Sequence, residues 1–350
     1  MAKKSGKDEQ FNYAAELRAL KERGPERLYL LWGPEDYLRE QYLTQLRKKC
    51  LPDGEDDFSY KRLDGPALDA QRLQQAVDAM PFMTEHTFVE LRDVDLNKVG
   101  DPDACIKILS DIPEYCTVVF VQNAQFEPDG RLRFVKTLRS TGRELKFTQQ
   151  SQGMLTDWIV RRFAAAGKGV ELAAAQRLIF ISGDLMSRLI PEIEKIAAYA
   201  KGDKVTQADV EAVANHIPEA VVFEMTELIA QKKINSALSV LSELLSDKNN
   251  EPIMMLAVLG KQMRQLYAAR LAIEKGLGSK YVMEVCAMKY DYIASKLLAA
   301  ARGFTLPQLK RAVELCAEAD YRMKSSSEDA RELLKEAVLR IAAGESHAEN

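Results

Sequence analysis

Apolar residues follow two patterns along the chain. Up to about residue 148, short apolar runs alternate with stretches whose apolar positions recur every three or four residues. Beyond it only the second pattern continues. The run Leu28–Trp32 (LYLLW), bounded by Gly33-Pro34, predicts a buried strand. Tyr37, Leu38, Leu43 and Leu46, with Tyr42 between turns, then predict a helix from near Asp36. An imperfect alternation at 58–63 (FSYKRL) predicts a strand ended by Asp64-Gly65-Pro66, and 67–79 carries Leu68, Leu73, Ala76 and Val77 on one helical face. A third strand is expected at 87–91 (TFVEL) and a short helix at 104–109, closed by Ile112-Pro113. The apolar run 117–122 (TVVFVQ) suits the centre of a parallel sheet, with a helix at 132–139 and a last strand at 144–147 after it. Strands alternating with helices predict a parallel sheet with helices on both faces.

After residue 148 the strand signal vanishes. Helices are expected at 156–166, 172–181, 185–200 and 206–216, the last opened by the capping pair Thr206 and Asp209. From Val222 helix follows helix: 223–231, 235–245, 252–275, 279–285, 290–301, 306–324 and 328–343, with turns at 276–278 and 323–327. The stretch 252–275 is apolar around much of its circumference (Ile253, Met254, Met255, Leu256, Val258, Leu259, Met263, Leu266), which fits either a subunit interface or the central helix of a bundle. The expected organisation is α/β followed by all-α: a parallel-sheet domain over 1–148, a small helical domain over 149–215 and a larger helical domain over 216–345.

The junction at 27–40 (RLYLLWGPEDYLRE) has the order strand, glycine turn, helix, where a P-loop would sit. A P-loop needs a second glycine for close backbone approach to phosphate, a lysine for the β/γ-phosphates and a hydroxyl for magnesium. Counted from Gly33, those places hold Leu38, Arg39 and Glu40, and Glu35 and Asp36 add further negative charge. The acid that ends a strand in an ATPase, to hold metal and orient water, has only Asp93 and Asp95 as candidates, and aspartates there read more simply as solvated turn formers. A phosphate-sensing arginine after Gly183-Asp184-Leu185 is replaced by Met186, with Arg188 two places on read as a surface or domain-interface charge. Three nucleotide-handling features are missing or weak, which favours a nucleotide-fold scaffold without its chemistry.

Composition narrows the remaining classes. The chain has 350 residues, 47% of them hydrophobic and 29% charged, and a formal net charge of −3, which disfavours an autonomous duplex-DNA binder. Its five cysteines (Cys50, Cys105, Cys116, Cys286, Cys316) form no CxxC pair, and Cys116 and Cys286 read as small core residues. His86, His216 and His347 show no ligand spacing and no G-x-S-x-G occurs, so neither a metal centre nor nucleophile-elbow hydrolysis is expected. The basic pairs Arg161-Arg162 and Lys232-Lys233 read as solvated faces. The start, MAKKSGKDEQ, carries no signal peptide, and no long apolar span follows, so a cytoplasmic protein is expected. At the end of the helix at 67–79, Met80, Phe82 and Met83 straddle Pro81, which disfavours helix at Met80. Polar Thr84, Glu85 and His86 follow. Such a knob suits a pocket on another molecule, where two buried residues contribute on the order of 1.5–3 kcal/mol each. Large apolar residues are usually core, so by residue type alone burial beneath the strand at 87–91 is the favoured place for the knob.

YLLWGPEDYLREQYL at 29–43, QQAVDAMPFMTEHTFVEL at 74–91, LIPEIEKIAAYA at 189–200 and VTQADVEAV at 205–213, in this order and spacing, resemble the delta-subunit family of bacterial DNA polymerase III clamp loaders. The resemblance runs from about Arg27 to Ala343. It implies an AAA+-like (P-loop NTPase-type) fold with a helical lid and a C-terminal collar, no ATP hydrolysis and no cofactor. It also implies an accessory role in a DNA-directed DNA polymerase (nucleotidyltransferase) holoenzyme. The implied partners are the ring-shaped beta sliding clamp, the tau/gamma ATPase subunits, delta-prime, and primer-template DNA inside the assembled loader; no membrane is implied. The implied action is to bind the clamp and spring open one of its interfaces. The clamp-binding residues carried over are Met80, Pro81, Phe82 and Met83, where Phe82 and Met83 stand for the Leu-Phe pair of some members. This turns the knob outward. A divergent P-loop NTPase and a free-standing DNA-binding protein are the alternative readings.

Overall fold

Five strands form one parallel sheet in the order β2-β3-β4-β1-β5: β1 (Leu28–Trp32), β2 (Tyr60–Asp64), β3 (Thr87–Arg92), β4 (Cys116–Val121) and β5 (Arg143–Lys146). The computed structural model describes residues 11–52, 59–81 and 84–344. The chain divides into two units: residues through Gln150 with Leu185–Ser187, and Ser151–Asp184 with Arg188 onward.

In the first unit, helices α1 (Tyr13–Arg23), α2 (Asp36–Cys50), α3 (Ala70–Val77), α4 (Pro102–Ser110) and α5 (Arg133–Thr141) accompany the sheet. β4 is central and wholly buried, flanked by β1 (Leu30 beside Phe120) and β3 (Leu91 beside Phe120), as its unbroken apolar run requires. Side chains alternate across the pleat. Leu28, Leu30, Val89, Leu91, Val118 and Phe120 face α3, α4 and α5, meeting Leu73, Ile108, Phe134 and Leu138. On the opposite face Tyr29 packs on Tyr42 of α2, and Tyr42 on Phe147. The ion pair from Glu16 to Arg143 (2.6 Å) fastens α1 to β5.

Several expectations for this unit change, and the strands expected at 117–122 and 144–147 each start one residue earlier, at Cys116 and Arg143. The helix expected over 67–79 is shorter, because the Asp69 carboxylate accepts from the amides of Gln71 and Arg72 and so caps a helix that starts at Ala70. Leu68 stays buried outside the helix. The strand expected at 58–63 runs Tyr60–Asp64, in register with β3; Phe58 lies outside the described residues. Helix α1 has no counterpart among the expected elements.

The second unit is helical: α6 (Gln152–Ala165), α7 (Leu172–Ser182), α8 (Met186–Tyr199), α9 (Gln207–Val213), α10 (Pro218–Ala230), α11 (Ile234–Ser246), α12 (Pro252–Glu274), α13 (Ser279–Val285), α14 (Asp291–Ala301), α15 (Leu306–Ser325) and α16 (Ala330–Ala343). The expected absence of strands fails at one place. β6 (Gly169–Val170) and β7 (Lys204–Val205) pair in parallel, two residues each and too short to show a period. The Thr206–Asp209 capping box forms as expected, and Thr305 with Gln308 makes a second. α12 packs against α10, α13, α14, α15 and α16, so it is the central helix of a bundle. It buries Met255, Leu256, Leu259, Met263 and Leu266 while Ile253 and Met254 stay exposed. Cys116 is core as expected and Cys286 only half-buried. No helix among the described residues is long and apolar enough to cross a membrane.

Candidate functional site

At the carboxyl end of β1 the chain turns through Gly33 with φ +118°, where a Cβ would stand 2.5 Å from the Phe147 carbonyl oxygen. The Phe147 amide donates to the Trp32 carbonyl (2.7 Å), and the Glu35 amide donates to the Phe147 carbonyl (3.0 Å). A loop amide that would face phosphate in a P-loop is thus committed to the protein's own backbone. From the first turn of α2, the Arg39 guanidinium donates through Nη1 to the Gly33 carbonyl oxygen at 2.8 Å. Arg39 is only 6% exposed, and burial pulls its pKa down, opposed in part by Glu40. Leu38, at the place of the second P-loop glycine, is buried.

Glu40, at the place of the metal-binding hydroxyl, receives a two-pronged contact from Arg92: Nη1 to Oε1 at 2.9 Å and Nη2 to Oε2 at 2.7 Å. Arg92 ends β3, one residue beyond the expected strand end, where an ATPase carries its metal-holding acid. Its Nε donates to Glu90, a carboxylate 0% exposed in the middle of the sheet. Glu90 also accepts from the Tyr60 hydroxyl (3.1 Å) and lies 3.7 Å from Arg47. The hydrogen bonds from Arg92 to Glu40 raise its pKa above the usual guanidinium value. Asp93 is exposed at φ +56° with its amide bonded to Val121, and Asp95 accepts from the Asn97 amide. Both are turn residues, as expected. Arg92 and Glu90 were not singled out in the sequence; the signal was a glutamate and an arginine two apart on one strand face, opposite an acid on α2.

In the second unit, Asp184 accepts from the Tyr290 hydroxyl (2.9 Å), and Arg188 is exposed. His86 and His216 stand apart, and no group of acids, histidines and cysteines among the described residues has the arrangement to hold a metal. His347 lies outside those residues.

The apolar knob begins at the end of α3. Met80 is 77% exposed and Pro81 half-buried; Phe82 and Met83 lie outside the described residues. The base of the loop is tied on both sides. Thr87 Oγ1 donates to the Ala79 carbonyl (3.0 Å), and Thr84 Oγ1 to the His86 carbonyl (2.8 Å). His86 Nε2 lies 2.9 Å from Thr117 Oγ1, which itself donates to the Glu26 carbonyl (3.1 Å). The hydroxyl therefore accepts from His86, which requires the Nε2–H tautomer. Burial pulls the His86 pKa below its usual value.

A parallel sheet in this order, a strand–turn–helix junction closed by its own arginine, and a helical remainder define a protein of the AAA+-like class. Family models for the DNA polymerase III delta subunit and its C-terminal domain match residues 29–148 and 219–341. The DNA polymerase III subunit delta of Bacillus subtilis is 24% identical over 327 residues, covering 90% of this chain and 92% of that one. The probable DNA polymerase III subunit delta of Aquifex aeolicus is 25% identical over 327 residues, covering 89% and 90%. The solved DNA clamp loader delta protein of Bacillus subtilis has the same fold, with a TM-score of 0.54 at 21% identity over 95% of this chain and 100% of that one. The chain belongs to the DNA polymerase III delta-subunit family, clamp-loader subunits of the DNA replication machinery.

Proposed function

We propose that this subunit binds the beta sliding clamp through Met80, Pro81, Phe82 and Met83 and opens one interface of the ring, so that it can be loaded on primed DNA. The observation that carries this reading is Met80, an apolar side chain 77% exposed at the end of a capped helix, on a loop base fixed by the Thr87–Ala79 bond. Met80 already faces solvent on a loop base tied by that bond, and a side chain presented in place pays less entropy on entering a pocket. The subunit hydrolyses no ATP itself: the Gly33 turn is capped by Arg39, and the metal place is taken by the Glu40–Arg92 pair. In the same reading residues 149–215 are the lid and 216–345 the collar. The collar assembles with the tau/gamma ATPase subunits and delta-prime around primer-template DNA in the cytoplasm.

Surface plasmon resonance with immobilised clamp tests the contact. Phe82 and Met83 both changed to alanine abolish measurable binding, and normal binding by that double variant would refute the site. Calorimetric titration with magnesium–ATP is expected to be flat; a saturating heat would restore the reading of a divergent NTPase.

A further inference from the structure

We propose that His86 is a positioning residue for the clamp contact: its ring, bonded to Thr117 on β4, fixes the leg by which the knob loop returns to the sheet. The inference rests on the reading that the knob at 80–83 meets the clamp. The outgoing leg leaves α3 and is held at Ala79, whose carbonyl accepts from Thr87 Oγ1 at 3.0 Å. The returning leg enters β3 through Thr84, Glu85 and His86. There the Thr84 hydroxyl donates to the His86 carbonyl at 2.8 Å, and the ring reaches across to β4, with Nε2 donating to Thr117 Oγ1 at 2.9 Å. Thr117 is 1% exposed and spends its own hydrogen on the Glu26 carbonyl at 3.1 Å, so its oxygen is left to accept. A ring held by a hydroxyl that the sheet holds in turn cannot rotate without breaking a bond. Charge on the ring undoes this arrangement. His86 is half-buried, and no carboxylate among the described residues pairs with it. The titratable groups around it are neutral or exposed. On α2 the Cys50 thiol, 3.8 Å from Thr117 Oγ1, is pushed up to about 11 by burial, and on β1 the Tyr29 phenol is pushed up to about 12. Cys116 lies on the other face of the sheet, and Glu26, Lys48, Lys49 and Glu85 are exposed. A second proton, on Nδ1, therefore creates a half-buried cation without a counter-charge, and the ring leaves Thr117 for water.

Surface plasmon resonance of the full chain on immobilised clamp tests this at about pH 7.5 and about pH 5.5, either side of the histidine range. His86→Leu keeps bulk without a donor and is expected to bind roughly two- to tenfold more weakly at the higher pH, the worth of one hydrogen bond. His86→Gln offers an amide N–H near the place of Nε2 and is expected to restore most of that loss. Thr117→Val removes the acceptor instead and is expected to match the leucine variant. On acidification the wild type is expected to weaken several-fold relative to the glutamine variant, which has nothing to titrate there; the ratio of the two cancels the titration of the clamp. A merely structural role would lower melting temperatures without making that ratio depend on pH. The ratio also carries the test if the leucine variant fails to fold. Wild-type affinity in a folded leucine variant, or a ratio the same at both pH values, would overturn the inference. Normal binding by the Phe82 and Met83 double alanine variant would sink the reading of the knob instead, so the two failures are distinguishable.

Discussion

Arg39 reaches back along its own helix to donate to the carbonyl of Gly33, 2.8 Å away. The place that serves phosphate in a P-loop serves the backbone here. Arg39→Ala leaves the buried Gly33 carbonyl without this donor, at an expected cost of about 1–3 kcal/mol. The check is a lower urea midpoint at unchanged slope. The variant gains no ATP affinity, because the Glu35 amide remains bonded to the Phe147 carbonyl.

Gly33→Ala meets two penalties at once. Its φ of +118° strains any side chain, and the new Cβ would lie 2.5 Å from a backbone oxygen that cannot rotate away. The expected loss is about 2–5 kcal/mol. Chemical denaturation followed by tryptophan fluorescence measures it, since Trp32 is the adjoining residue.

His86 makes stability depend on pH. Burial holds its folded-state pKa below the ordinary 6.5, so between the two values the unfolded chain binds more protons and stability rises with pH. The contribution is complete above about pH 6.5 and is lost as pH falls toward the folded value. His86→Gln is expected to flatten the stability profile between pH 7 and pH 5, roughly the histidine range. A slope unchanged by the substitution would assign the titration elsewhere.

Legibility in the sequence followed the strength of local pattern. β1 and β4 are continuous apolar runs between turn residues; β1 lies where the sequence places it and β4 one residue earlier. α15 and α16 carry apolar positions at helical spacing and were readable for the same reason, while α12 was readable as a long apolar stretch without breakers. α1 was not, because among its eleven residues only Leu20 is buried, too little to set a period. β6 and β7 are two residues each, and their pairing spans the gap from Gly169 to Lys204. At the candidate site the absent P-loop residues were legible because they are neighbours in sequence. What replaces them was not: Glu40 and Arg92 are 52 residues apart, and Gly33 meets Phe147 only through sheet register. The exposure of Met80 lay beyond residue type, which favours a buried methionine.

β3 carries the Thr87 hydroxyl at one end and the Arg92 guanidinium at the other, with β2 and β4 bonded along its two sides. Six residues of extended chain span about 20 Å. A load on the loop at Ala79 therefore passes into a braced beam whose far end is riveted to α2.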